Sequence, residues 1–176
     1  MINNYHYTDS EQKRLLKSMV ILVDTRENVN DHITGYLSSK GIAFKPHKLG
    51  SGDYSVMLPA APDLGIVRDT YFDRQIIIER KASLEELSNN LAQCRDRFEA
   101  EFYRAPECRK YLLIESGSYA DIFDKRYKTD LNSAAFAASL MTFQARFGLN
   151  VSFVSREHSG KFIYGLLYYF VREQVQ

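Results

Sequence analysis

The chain has 176 residues, 45% of them apolar and 26% charged, which is typical of one globular domain with its own core. Its formal net charge of +1 neither indicates nor excludes a nucleic-acid ligand. No apolar run is long enough to cross a bilayer, no signal-peptide pattern is present, and two cysteines are too few for a disulfide framework. We therefore expect an intracellular protein without a membrane segment, cytoplasmic if the host is a bacterium or a virus.

The first elements are predicted from apolar runs and breakers. We expect an N-terminal arm over residues 1–18, with a short helical pattern from Lys13, followed by a single domain over residues 19–176. Val20-Ile21-Leu22-Val23 is too short for a helix and predicts a strand buried on both faces. Residues 31–40 carry a helical stripe that ends at Gly41.

Three strands should then follow without a helix between them, over residues 42–49, 53–58 and 75–80. A Gly-Ser-Gly turn at 50–52 separates the first two, and residues 59–73 should form a loop or irregular hairpin. Because consecutive strands with short connections usually pair antiparallel, we expect this stretch to be antiparallel.

The second half of the chain alternates helices with strands. Ser83 and Glu86 match a capping box, which predicts a helix that continues, with a break, to about Tyr103. The later elements are predicted at 111–114 (strand), 119–126 (helix), 133–147 (helix, capped by Gly148), 151–154 (strand) and 161–173 (helix). This order predicts an α/β fold, an α/β/α sandwich in which helices cover both faces of a central mixed sheet.

The chemistry is expected at the end of the strand over residues 75–80. Side chains alternate between the two faces of a strand, so Glu79 and Lys81 should share one face and Arg80 should point away. Asp53 begins the preceding strand, directly after the glycine-rich turn. If those strands pair, Asp53 and Glu79 converge and offer two carboxylates to a hard divalent cation such as Mg²⁺.

Such a cation lowers the pKa of a bound water and neutralises charge on a phosphate, while a lysine beside it orients the water or stabilises negative charge. An isolated Glu-Arg-Lys run is more often an ordinary charged strand end in water. Here Asp24 and Glu27 also follow a core strand, and several carboxylates at one rim favour a cation or a cationic neighbour.

Three ordered motifs resemble the nuclease domain of the XPF-type structure-specific endonucleases. They are Val23-Asp24-Thr25-Arg26-Glu27, Gly52-Asp53-Tyr54 and Ile78-Glu79-Arg80-Lys81, and the similarity extends from Met19 to about Glu173. The resemblance implies a restriction-endonuclease-like fold and cleavage of DNA near junctions of duplex and single strand. It implies Mg²⁺ or Mn²⁺ at the metal ligands Asp24, Asp53 and Glu79. It also implies catalytic or supporting roles for Arg26, Glu27, Arg80 and Lys81.

The sequence departs from the family pattern in three respects. The position of the motif's final aspartate holds Glu85, which we expect to support the site from outside the metal ligands. The segment between Asp53 and Glu79 is long, because it contains the insertion over residues 59–73. We also expect no tandem helix-hairpin-helix units after the nuclease domain, although family members usually append them.

The resemblance further implies a homodimer or heterodimer formed through the nuclease domain. Tyr164, Tyr168 and Tyr169 flank the apolar stripe of the last predicted helix and are candidates for that surface, although helix packing alone also explains them.

Three hypotheses follow. The first is a metal-dependent DNA endonuclease, acting on flap, fork or other branched DNA by way of a metal-activated water. The second is a catalytically silent DNA-binding or scaffolding subunit, although such subunits usually lose their acids and this chain keeps them. The third is another restriction-endonuclease-like enzyme, such as a junction resolvase or a host-defence nuclease.

Overall fold

A computed structural model describes residues 6–176, so the first five residues of the predicted arm lie outside it. The helices are α1 (Asp9–Ser18), α2 (Asp31–Ser39), α3 (Leu84–Ala92), α4 (Arg95–Tyr103), α5 (Tyr119–Phe123), α6 (Ser133–Phe147) and α7 (Ser159–Val175). The strands are β1 (Val20–Val23), β2 (Phe44–Pro46), β3 (Tyr54–Leu58), β4 (Thr70–Tyr71), β5 (Ile76–Lys81), β6 (Arg109–Ile114) and β7 (Leu149–Phe153). Short 3₁₀ turns cover Pro62–Leu64 and Arg156–His158.

The strands form one mixed sheet in the order β2-β1-β3-β5-β6-β7, and β4 pairs with the far end of β3. β3 is antiparallel to both β1 and β5, as predicted for that part of the chain. β2 is different, because it lies beside β1 and runs parallel to it. The prediction that the whole stretch from 42 to 80 is antiparallel is therefore wrong for β2. Helix α2 carries the chain across the sheet between β1 and β2, and such a crossover returns the strand in the same direction.

Helices cover both faces of the sheet, which confirms the predicted α/β/α sandwich. One core joins the buried side chains of α1, α2 and α7 to one face of β1, β3 and β5. The other core joins α3, α4, α5 and α6 to the opposite face of β6 and its neighbours. A third, smaller cluster of Leu22, Leu49 and Met57 lies apart from these two.

Helix α1 begins earlier than predicted and belongs to the domain core. Thr8 and Glu11 form a reciprocal capping box, which starts the helix at Asp9. Leu15 and Leu16 are buried in the same core as α2 and α7. The predicted boundary after residue 18 thus has no counterpart in the packing of the described residues.

The remaining predicted helices and loops are present with shifted ends. The break expected after the capping helix falls at Gln93 and Cys94, between α3 and α4. The segment predicted as a loop or irregular hairpin folds back on β3, where Tyr71 pairs with Met57. Within residues 6–176, no helix is both long and apolar enough to cross a membrane.

Candidate active site

The Gly-Asp turn brings β3 against the middle of β5. Gly52 has φ of +73°, and a Cβ atom there would lie 2.9 Å from the Cβ of Ile77, so only glycine fits. The backbone N–H of Asp53 donates to the carbonyl of Ile78 at 2.9 Å. The Asp53 carbonyl accepts from the N–H of Asp24 at 2.8 Å, so one residue links β1, β3 and β5.

The carboxylate of Asp53 lies beside that of Glu79. Its Oδ2 accepts a hydrogen bond from the backbone N–H of Arg80 at 2.8 Å. Burial raises the pKa of Asp53 well above its usual value, and the negative charge of Glu79 raises it further. The convergence expected from the sequence is therefore present, and the two acids form an electrostatically unfavourable pair that a cation would relieve.

Lys81 shares the face of Glu79, as strand alternation predicted. Its Nζ donates to Glu79 Oε1 at 2.8 Å and lies 5.2 Å from the ring centre of Phe98. Burial lowers the pKa of Lys81, but the charge of Glu79 and its hydrogen bond outweigh burial and leave that pKa raised. In this structure Lys81 is therefore held as an ammonium ion against Glu79.

Asp24 is buried and fully engaged by other groups. Its Oδ1 accepts from Arg26 N and Nε at 2.8 and 2.7 Å, and its Oδ2 accepts from Leu49 N at 2.7 Å. Burial raises the pKa of Asp24, but these hydrogen bonds, led by that of the Arg26 side chain, bring the net value below normal. Arg26 is thus the direct partner of Asp24, and its supporting role in the site stays a prediction.

The predicted metal ligands are only partly assembled. Across residues 6–176, no three His, Cys, Asp or Glu side chains are grouped closely enough to hold a metal ion. Asp53 and Glu79 remain a suitable pair of oxygen donors, because Mg²⁺ commonly binds one or two carboxylates and retains several waters. Asp24 is held instead by Arg26 and by the backbone N–H of Leu49.

Arg80 points to the other face of the sheet and forms a buried ion-pair cluster. Its guanidinium donates to Glu27 Oε1 at 2.6 Å and to Glu115 Oε2 at 2.6 Å, and also to the carbonyl of Val29. His32 Nε2 lies 2.5 Å from the other oxygen of Glu115. Burial lowers the pKa of Arg80, but Glu27 and Glu115 more than offset burial and raise that pKa. Arg80 and Glu27 thus satisfy each other, away from Glu79 and Lys81.

Glu86, and not Glu85, lies against Lys81. Glu85 Oε1 accepts from the backbone N–H of Lys128 at 3.1 Å, on another part of the surface. Glu86 Oε1 lies 3.5 Å from Lys81 Nζ, and its Oε2 accepts from Ala82 N at 2.8 Å. The structure therefore places Glu85 away from Lys81, because the phase of α3 turns Glu86 towards that lysine instead.

The cleft has further lining residues that were not predicted. Besides Glu79 and Lys81, it is lined by one face of α3 and α4, comprising Glu86, Asn90, Cys94, Arg97, Phe98 and Glu101. Their spacing of three or four residues is that of a single helical face and is the signal that would have found them. Glu115 gave no such signal, because it reaches Arg80 from the end of β6.

A mixed-sheet α/β/α sandwich with carboxylates and a lysine at adjacent strand ends defines a domain of the restriction-endonuclease-like class. Comparison with known proteins narrows this class. The family model described as "ERCC4 domain" matches residues 23–166, and the chain belongs to that family. This match confirms the resemblance to XPF-type nuclease domains.

Two solved structures of XPF from Aeropyrum pernix are similar to the chain. The one in complex with DNA has a TM-score of 0.62 at 18% identity, over 88% of this chain and 66% of that chain. The other has a TM-score of 0.60 at 20% identity, over 89% of this chain and 64% of that chain. The chain thus spans just under two thirds of each of these XPF chains. A comparison with curated proteins gave no match.

Proposed function

We propose that the chain is a metal-dependent DNA endonuclease that hydrolyses phosphodiester bonds in branched DNA. The observation that carries this proposal is the convergence of Asp53 and Glu79, with Lys81 on the same face. Two neighbouring carboxylates are costly without a cation, and a buried ammonium ion beside them is suited to an anionic substrate.

Each side chain of the candidate site would have a separate role. Asp53 and Glu79 would bind Mg²⁺ or Mn²⁺, with Asp24 as a third ligand once Arg26 releases it. Lys81 is held by Glu79 and Glu86 in a position to donate to a phosphate oxygen. Bound there, the metal would supply Lewis-acid charge and a water of lowered pKa. Arg80 and Glu27 would stabilise the position of β5 from the opposite face of the sheet.

DNA is proposed as the substrate on two grounds. The chain belongs to the ERCC4 family, and a similar XPF structure was solved in complex with DNA. Preference for flaps, forks or other junctions is inferred from the family alone and is part of the proposal.

Labelled flap, fork, four-way and linear DNA, each incubated with Mg²⁺, Mn²⁺ or EDTA, test this function. The native chain should cut at least one branched substrate only with metal, and Asp53→Asn should abolish cutting. Metal at about 100 times its Kd should stabilise the protein by about 2.7 kcal/mol. That corresponds to a rise in Tm of about 5–11 °C for a chain of this size. No metal-dependent cutting on any substrate would contradict the proposal.

A catalytically silent DNA-binding subunit is the second candidate, and the engagement of Asp24 by Arg26 favours it. A silent subunit would bind branched DNA in a gel-shift assay without cutting it, and metal would leave its Tm unchanged. An active enzyme would cut branched DNA in the presence of metal, and metal would raise its Tm. Cutting and the Tm shift together therefore distinguish the two candidates.

We also propose that the chain dimerises through α7. Tyr164 and Tyr168 pack against the core, whereas Tyr169 is 59% exposed beside a groove that Phe162 and Leu166 also line. Tyr169→Glu should lower the mass measured by light scattering to that of a monomer. Tyr103→Glu, at a position 61% exposed on α4, is the matched control and should leave the mass unchanged.

A further inference from the structure

Among residues 6–176, one half of the sheet has a face on which no helix contributes to the buried cluster. Over β2, β1 and β3, the cluster on this face consists of Leu22, Leu49 and Met57, with Val20 packed against it, and none of these lies in a helix. Strand register places Leu22 and Met57 on the same face as Glu79. This half-face, whose apolar side chains are buried without a helix among them, therefore adjoins the candidate active site.

A groove of about 670 Å³ lies at the edge of this half-face. Its walls are the loop before β3, the residues before β5 and the connection from α4 to β6. They carry three exposed cations, Lys48, Arg74 and Arg104, against two acids, Asp73 and Glu107. Within residues 6–176, neither Lys48 nor Arg74 is paired with an acid, so both are free to bind an anion.

The groove and the cleft share a wall. Glu101 lines the cleft and forms an ion pair at 2.5 Å with Arg104, which lines the groove. Arg104 Nε also donates to the Gly50 carbonyl at 3.2 Å, in the loop that leads to Asp53. The side chain of Arg26, 56% exposed, lies next to the same loop. A strand bound in the cleft could therefore continue into the groove.

An aromatic pair lies beyond the groove, on the same face of the sheet. His47 stacks on Tyr71 with ring centres 5.1 Å apart, and Lys45 Nζ lies 5.2 Å from the Tyr71 ring centre. His47 precedes Lys48 directly, and Tyr71 is 38% exposed. An exposed ring next to cations is the arrangement on which an unpaired base stacks.

We infer that this half-face binds a single-stranded nucleic-acid segment that leaves the cleft. Lys48, Arg74 and Arg104 would contact successive phosphates, and Tyr71 would stack on a base. The inference rests on the proposed nuclease function and specifies where its substrate runs. Nothing in it requires the metal, so binding can be measured separately from cutting.

The test is fluorescence anisotropy with a labelled oligothymidylate in EDTA, in an Asp53→Asn background. Each phosphate contact contributes about 0.7 to the slope of log affinity against log salt for a single strand. Lys48→Ala/Arg74→Ala should therefore reduce that slope by about 1.4 and weaken binding about 25-fold near 0.1 M salt. Tyr71→Ala should weaken binding further, whereas Tyr71→Phe keeps the ring and most of the affinity.

Lys17→Ala/Lys40→Ala is the matched control, because both lysines are exposed on α1 and after α2, which pack on the other face. It removes the same charge and should change the slope by less than about 0.3. Equal effects of the two double variants would overturn the inference while leaving the nuclease proposal intact. If the native chain cuts DNA but Lys48→Ala/Arg74→Ala leaves oligothymidylate binding unchanged, the groove is likewise excluded as the binding site of the single strand. Failure of the native chain to bind or cut any DNA would instead defeat the proposed function.

Discussion

Replacing Arg80 distinguishes a structural from a chemical role for the central residue of the Glu-Arg-Lys run. The Arg80 side chain is 6% exposed and bridges two acids, Glu27 and Glu115, whose side chains are 14% and 1% exposed. Arg80→Ala takes the guanidinium away from the partly buried Glu27 and leaves the buried Glu115 with only its contact to His32. We therefore expect a large loss of stability rather than a selective loss of chemistry.

The size of the effect follows from that burial. Breaking a buried ion pair by removing one partner costs about 3–5 kcal/mol. For a chain of this length, this lowers Tm by about 6–20 °C. The Tm of Arg80→Lys should lie between those of the native protein and Arg80→Ala. An ammonium group cannot contact Glu27 and Glu115 together as the planar guanidinium does.

Thermal and urea unfolding measure the effect, and Lys81→Ala is the control on the same strand. Lys81 is about as buried, but its substitution takes the cation from one carboxylate, Glu79, which lines the cleft, whereas Arg80 bridges two. Lys81→Ala should therefore lose cutting with a smaller change in Tm. If Arg80→Ala kept its Tm within about 2 °C of the native value yet lost all cutting, the structural role would be refuted.

Three further predictions concern the cleft. Because the folded pKa of Asp53 is raised, metal-free native protein should lose stability as pH rises through that pKa, and Asp53→Asn should remove this loss in thermal unfolding from acidic to basic pH. Glu86→Gln should reduce cutting about two- to fivefold, consistent with a half-exposed contact worth at most about 1 kcal/mol, whereas Glu85→Gln should leave the rate unchanged. Cys94 is exposed in the cleft and should react with a maleimide that then blocks cutting, whereas Cys108, which is buried and whose pKa burial raises to about 12, should stay unlabelled in mass spectrometry. Labelling of Cys94 without any effect on cutting would contradict its position in the cleft.

Much of the architecture could be predicted because its causes are local. Apolar runs, capping residues and glycines lie next to the elements they define, so the order of helices and strands follows from short windows. Ser83 starts α3 as predicted, and Gly148 ends α6. The parity of β5 is equally local, and it correctly separated Arg80 from Glu79 and Lys81.

The position of β2 in the sheet could not be predicted from local sequence. The local pattern around residue 44 predicts a strand but not its neighbour in the sheet. Its pairing with β1 depends on the path of α2 across the sheet, and on β3 taking the opposite side of β1.

Local sequence is sufficient to predict that acids stand at the ends of β1, β3 and β5 and that Glu79 and Lys81 share a face, because each feature depends only on residues a few positions apart. Tertiary structure alone decided that Arg26 engages Asp24 and that Glu115 reaches Arg80 from β6. It also decided that the buried cluster over half of one sheet face, beside the cleft, contains no helical residue. These features depend on strand order and helix phase, which bring distant residues together through packing that no local pattern records.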